Sequence, residues 1–218
     1  MIKVIINGAS GKMGKTAVSA ITQEKDLQLV ASTARNDDLF SVIQKTHADV
    51  VIDFTRPDCV FENTKIIIEA GARPVIGTTG FSDNAIEEIT TLCKTKKRGA
   101  IIAPNFSIGA ILMMRYAQNA AKYFSEVEII EYHHPEKLDA PSGTAKKTAE
   151  LIGKKMQIHS VRLPGIFSEQ DVIFSTAGER LLIRHAATDR SAMMPGLFLC
   201  CRKVMELNHL IYGMEKLI

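Results

Sequence analysis

The chain is poor in cysteine, with four in 218 residues: Cys59, Cys93, Cys200 and Cys201. None stands in CxxC spacing, which removes the usual signature of a zinc site or a thioredoxin-like redox pair. The adjacent Cys200 and Cys201 lie in an apolar run and read as small buried hydrophobes. Thiols so sparse suit a reducing compartment. An excess of charge of one sign is also missing. The 27 Lys and Arg against 24 Asp and Glu leave a net charge of +3, too mild to argue for nucleic acid. The densest basic run, KTKKR at 94–98, reads as the solvated end of a helix, where cations are favoured. No apolar stretch reaches the roughly 18 residues that would suggest a membrane span, and the N-terminus carries no signal-peptide pattern. The expectation is a cytoplasmic chain whose partner is neither membrane nor nucleic acid. Internal repeats and low-complexity tracts are absent too. What remains is ordinary globular composition, 46% hydrophobic and 23% charged, in a chain long enough for one large domain or two small ones.

The order of elements narrows this. An apolar run at 2–7 leads directly into Gly8-Ala9-Ser10-Gly11-Lys12-Met13-Gly14. Met13, Ala17 and Ile21 then follow at helical spacing. The pattern GxxGxxG is a relative of the dinucleotide fingerprint. Glycine permits the tight turn, lets backbone approach a pyrophosphate and allows close helix–strand packing. The competing reading is a tight turn without a ligand. The second strand, 27–33, ends in Thr33-Ala34-Arg35 with no acid before Asp37. An acid there would bind ribose hydroxyls, whereas the Arg35 guanidinium suits a 2′-phosphate, which tilts the cofactor toward NADPH. Further strands are expected at 49–54, 74–77 and 100–103, alternating with helices that start at Thr55-Arg56-Pro57, at Ser82 and at Ile108. This is the pattern of a Rossmann-like, doubly wound α/β unit with a parallel sheet. Its five strand ends, 8–14, 33–35, 54–56, 77–79 and 103–106, should line one crevice.

Beyond residue 126 the pattern changes. Strands at 127–132, 157–163, 171–177 and 180–187 surround one helix at 142–154, with a hairpin turn at 177–180. The expectation is a smaller α+β domain with a mixed or antiparallel sheet. The predicted division is 1–106 for the dinucleotide-binding domain, joined by a C-terminal helical segment at 190–218, and 107–189 for a substrate-binding and oligomerisation domain. A sheet with a single helix over it leaves a face or an edge to cover, and self-association is the usual way to cover it.

The most informative stretch is EIIEYHHPEKLDAPSGTA at 128–145. A strand runs out at His133-His134, Pro135 discourages further pairing, and Lys137 and Asp139 follow in a loop. Ser142 is placed to cap a helix whose first N–H groups suit a carboxylate or phosphate. One segment thus offers two imidazoles, an ammonium and an anion cradle: parts for binding a small acidic molecule and passing it a proton. The competing reading is a solvated surface loop. His133 and His134 with Glu136 and Asp139 match no zinc spacing, so no metal is expected.

These segments together resemble the dihydrodipicolinate reductases of bacterial lysine and diaminopimelate biosynthesis. The resemblance runs through GASGKMG at 8–14, DFT-RP at 53–57, GTTGF at 77–81, APNFS at 103–107, EYHHPEKLDAPSGTA at 131–145 and TAGER at 176–180. It implies reduction of 4-hydroxy-tetrahydrodipicolinate to tetrahydrodipicolinate by NADPH or NADH. It also implies a dicarboxylate substrate and a homotetramer built through the second domain's sheet. It assigns the cofactor pyrophosphate to Gly8, Ala9, Ser10, Gly11, Lys12 and Met13, and the NADPH phosphate to Arg35. The nicotinamide side falls to Gly77, Thr78, Thr79, Ala103, Pro104, Asn105 and Phe106, with Arg56 and Arg190 toward the same ring. His133 and Lys137 match the catalytic pair, and His134, Gly143 and Thr144 match the grip on the dicarboxylate. Two departures stand out: many members carry an acid at the position of Ala34, and this chain is shorter between Arg35 and Asp49 and around the last hairpin. Two other readings compete. One is a dehydrogenase of the same plan acting on an amino acid or sugar, which would not need HHxxK before a helix start. The other is a non-catalytic NADPH sensor, which would tolerate losing His133 or Lys137.

Overall fold

The computed structural model describes residues 1–218. In chain order the strands are β1 (Ile2–Asn7), β2 (Leu27–Thr33), β3 (Val50–Asp53), β4 (Arg73–Ile76), β5 (Ala100–Ile102), β6 (Glu126–His133), β7 (Ile158–Arg162), β8 (Ser168–Thr176), β9 (Glu179–Ala187) and β10 (Leu210–Tyr212). The helices are α1 (Lys12–Ile21), α2 (Leu39–Thr46), α3 (Val60–Glu69), α4 (Asp83–Lys96), α5 (Ile108–Ala120), α6 (Gly143–Ile152) and α7 (Met194–Lys203). They form two compact units, one of Met1–Phe106 with Met193–Ile218, the other of Ser107–Ala192.

The first unit is a six-stranded sheet in the order β10-β5-β4-β3-β1-β2, parallel throughout. Its inner strands read as unbroken apolar runs because both faces are covered by helices. Val50, Val51, Ile52, Val75, Ile76 and Ile101 have no accessible surface. The strand order reverses at β1, so the ends of β1 and β3 flank the place where such folds bind ligands. Five of the six strands lie where the sequence pattern put them. The sixth, β10, is three residues long and falls within the C-terminal segment at 190–218 that was expected to be helical. Instead α7 ends at Lys203, a 3-10 turn follows, and the chain adds Leu210–Tyr212 beside β5. Pro57 also differs from expectation. It lies in a turn before α3 rather than inside it, and Val60 N–H bonds back to the Arg56 carbonyl at 3.0 Å. Within this unit α7 packs on α1 and β4.

The second unit is a mixed sheet in the order β7-β6-β8-β9. β6 is parallel to β7, and the pairs β6–β8 and β8–β9 are antiparallel. The β8–β9 hairpin turns at Gly178, whose φ of +86° lies in the left-handed region that favours glycine. Alternation along each strand sorts the side chains onto two faces. Val127, Ile129, Glu131 and His133 of β6 share a face with Ser168, Gln170, Val172 and Phe174 of β8 and with Ser160 and Arg162 of β7. α5 and α6 pack against this sheet, and Gln170 Nε2 donates to Thr148 Oγ1 of α6 at 2.8 Å. The other face carries Ile130, Tyr132, Asp171, Ile173, Leu182 and Arg184. Leu182 is 53% exposed there.

Candidate active site

Two constellations stand out, one in each unit. In the first unit a cleft of about 460 Å³ lies at the reversal of strand order. Its walls include Asn7, Gly8, Ser10, Gly11, Arg35, Asp37, Thr55 and Arg56. Local chemistry explains its shape. Gly8 has φ +81°, and a Cβ there would meet the Phe54 carbonyl oxygen at 2.6 Å. A Cβ at Gly14 would meet the Gly8 oxygen at 2.2 Å. Both glycines are therefore required for the turn to sit this close to β3 and α1. α2, α4, α5 and α6 each begin with an Asp or Ser side chain accepting a backbone N–H, but α1 begins at Gly11 with no side-chain cap and no acid in its first turn. A helix start left this way suits an anion. Ala9, Lys12 and Met13 belong to the same turn and to the first two helical positions, outside the cleft lining.

Beneath the turn lies a polar network that sequence reasoning missed. Asp53 is fully buried at the end of β3. It accepts from Asn7 Nδ2 at 2.8 Å, Asn63 Nδ2 at 3.0 Å, Thr55 Oγ1 at 2.6 Å and Thr78 Oγ1 at 3.4 Å, while Thr33 Oγ1 donates to Asn7 Oδ1 at 2.9 Å. One carboxylate thereby locks together the ends of four strands. The signal for it was a lone Asp closing an apolar strand. Gly77, Thr78 and Thr79 follow β4, and Ala103 to Phe106 follow β5. A Cβ at Gly77 would strike the rings of Phe54 and Phe106, which stack edge to face at 6.1 Å. At the rim, Arg35 is exposed, and Asp37 accepts the Ala34 N–H at 2.8 Å. Arg56 is exposed and paired with Asp58 at 2.6 Å.

In the second unit His133 ends β6, His134 to Pro141 form the loop, and Gly143 and Thr144 open α6 under the Ser142 cap, whose Oγ accepts Ala145 N–H at 3.2 Å. Lys137 Nζ pairs with Asp139 at 2.8 Å. A Cβ at Gly143 would meet nothing within 4 Å, so backbone there faces open space. Arg190 lies over the Phe167 ring at 5.4 Å. Behind the loop is a second buried carboxylate. Glu131 takes a bidentate pair from Arg162, Nη2 to Oε1 at 2.8 Å and Nη1 to Oε2 at 2.9 Å, and lies 2.5 Å from His133 Nδ1. Burial pushes the Glu131 carboxyl up, but hydrogen bonds from Arg162, Ser160 and His133 outweigh it and hold it at about 2. Burial pushes the His133 imidazole below its ordinary value. Glu131 opposes that shift, while Lys137 and Arg162 add to it. No three His, Cys, Asp or Glu side chains converge as metal ligands, and no helix is long and apolar enough to cross a membrane.

A doubly wound sheet with a glycine turn at its switch point, joined in one chain to a mixed-sheet unit whose loop gathers His133, His134 and Lys137, defines a two-domain pyridine-nucleotide oxidoreductase. Residues 2–106 match the family model described as dihydrodipicolinate reductase, N-terminus, and residues 109–218 the one described as dihydrodipicolinate reductase, C-terminus. The chain is 55% identical over 237 aligned residues to a 4-hydroxy-tetrahydrodipicolinate reductase of Coxiella burnetii, covering 100% of this chain and 99% of the relative. It is 49% identical over 240 residues to one of Legionella pneumophila, covering 99% of each. A solved dihydrodipicolinate reductase from Paenisporosarcina sp. TG-14, with dipicolinate bound, superposes at TM-score 0.92 and 37% identity over 100% of both chains. The chain belongs to the dihydrodipicolinate reductase family.

Proposed function

We propose that the chain reduces 4-hydroxy-tetrahydrodipicolinate with NADPH as preferred donor and NADH as the alternative, as a step toward lysine and diaminopimelate. The observation that carries this reading is the 133–144 segment, which gathers His133, Lys137 and the start of α6 within one unit. The dipicolinate in the Paenisporosarcina relative is a planar dicarboxylate of the same ring size as the proposed substrate, which supports the choice.

When bound, the nicotinamide supplies hydride. Gly8 to Met13 would hold the dinucleotide's pyrophosphate, Arg35 the 2′-phosphate, and Gly77 to Thr79 with Ala103 to Phe106 the nicotinamide side. The remaining work falls to the second unit. Loss of the ring hydroxyl as water leaves a conjugated imine, and hydride addition to it leaves a nitrogen–carbon system that must gain a proton. His133 and Lys137 handle that proton. The Lys137 ammonium also balances the substrate's carboxylate charge. His134, Gly143 and Thr144 hold one carboxylate at the helix start, where the dipole favours an anion.

The exposed Leu182 and the unpaired edge of β9 support a homotetramer built on the second unit's sheet. The absence of any spanning helix and the sparse thiols support a cytoplasmic enzyme.

A coupled assay tests the reaction. Aspartate semialdehyde and pyruvate are condensed by a partner synthase, and absorbance of NADPH and NADH is followed in parallel. The expected result is substrate-dependent oxidation, faster with NADPH, with the advantage for NADPH lost in Arg35→Ala. Tight nucleotide binding without any oxidation would point instead to a sensor.

A further inference from the structure

Glu131 has no accessible surface, yet His133, the Ser142 cap and, through Arg162, the Asp139 end of the loop are all tied to it. Its Oε2 faces His133 Nδ1 at 2.5 Å, and its Oε1 accepts the backbone N–H of Ser142, the cap of α6, at 3.3 Å. The Arg162 guanidinium that grips both oxygens also donates from Nη2 to the Asp139 carbonyl at 2.8 Å. Asp139 in turn holds the Lys137 ammonium. An ionised carboxylate can only accept hydrogen bonds, so Nδ1 of His133 must carry the proton. The neutral ring then has its lone pair on Nε2, where Ser168 Oγ lies at 3.1 Å and donates. Buried carboxylates that orient an imidazole in this manner fix both its tautomer and its direction.

We infer that Glu131, clamped by Arg162, is the positioning residue of this site: it holds His133 as the Nδ1–H tautomer, leaves Nε2 beside Ser168 as the atom that gains and loses a proton, and ties the start of α6 to the same carboxylate. The inference rests on the reading that His133 handles a proton during turnover. The proton balance is simple. Nε2 takes a proton from water or from Ser168 Oγ–H, which is refilled from water, and passes it to substrate. Nδ1–H stays on the ring throughout, and Glu131 remains ionised. The charged groups facing the ring are Glu131 from its own strand, Arg162 from β7 and Lys137 from the loop; β8 contributes only the neutral Ser168.

The tautomer can be read in the unmutated enzyme. With selective 15N labelling of the six histidines, the His133 signal is assigned by its loss in His133→Asn. Above its titration the expected pattern is protonated Nδ1 and unprotonated Nε2; the reverse overturns the proposal. In Glu131→Gln the side-chain oxygen stays with Arg162 and the amide N–H₂ faces His133, so the tautomer should reverse. kcat should fall about 100-fold, at the low end of acid–base contributions, with a much smaller change in KM. The limb of the pH profile that reports His133 should move down by about one pH unit or more, because the imidazolium loses its anion. A folded Glu131→Gln enzyme with unchanged kcat and pH profile would refute the role. Should Glu131→Gln fail to fold around the unpaired guanidinium, Glu131→Gln with Arg162→Met supplies the same readouts. If His133→Asn is fully active while the wild-type tautomer is as expected, then the reading of His133 as the proton-handling group fails and the positioning stands.

Discussion

At the scale of single residues, two buried carboxylates organise the protein, and each is surrounded by donors rather than by bulk. Asp53 gathers strand ends under the glycine turn, and Glu131 gathers the histidine, the loop and the helix cap. Glu131 sets a testable pH dependence. Its folded value of about 2 lies below the ordinary 4.5. Its contribution to stability is therefore complete above about pH 4.5 and is lost as pH falls through about 2. That linkage is worth on the order of 3 kcal/mol. Urea midpoints measured from pH 7 to pH 2 should fall less steeply in Glu131→Gln with Arg162→Met than in the unmutated chain; parallel curves would show that the carboxylate carries no such linkage. Residues of this kind were the least legible in the sequence. The motif glycines, His133, Lys137 and Ser142 announce themselves by type and spacing. Glu131 sits in an alternating strand pattern, and only the register that sets it opposite Ser160 and next to Arg162 shows that it faces inward.

At the scale of elements, the sequence pattern was a good guide wherever apolar period and capping residues agreed. Asp38, Ser82, Ser107 and Ser142 all cap the helices they precede, and β3 and β5 are buried on both faces as their composition implies. It misled where an element was too short to show a period. β10 has three residues, and its place is decided by the open edge of β5 rather than by its own sequence. The starts of α1 and α6 are the two elements to which ligand binding is assigned, and α6 permits a clean separation of fold from function. Gly143 has no positive φ and nothing near its missing Cβ. Gly143→Ala should therefore leave thermal stability unchanged or slightly raised, since alanine favours the helix, while KM for the dicarboxylate rises at least several-fold. A lowered melting temperature, or an unaltered KM, would each contradict the assignment of this helix start to the substrate.

At the scale of the whole molecule, the sequence carried the class of fold, the two-unit plan and the family. What it could not carry was the set of long-range pairs that make the site rigid, because residues such as Glu131 and Arg162 lie 31 positions apart and meet only through a parallel strand pairing. Assembly belongs to this scale as well. Four copies of a 24.0 kDa chain would scatter light as a particle of about 96 kDa, and Leu182→Asp on the exposed sheet face should reduce that mass; a monomer in the unmutated protein would remove the tetramer from the account. The central claim is that the second unit's 133–144 segment both grips the dicarboxylate and supplies its proton. Its most direct test is the coupled assay run on His133→Asn and Lys137→Ala beside the unmutated enzyme, with kcat and KM separated. The account predicts that His133→Asn loses about 100-fold or more in kcat with little change in KM. It also predicts that Lys137→Ala loses both turnover and affinity. Normal turnover with weakened binding in His133→Asn would contradict it.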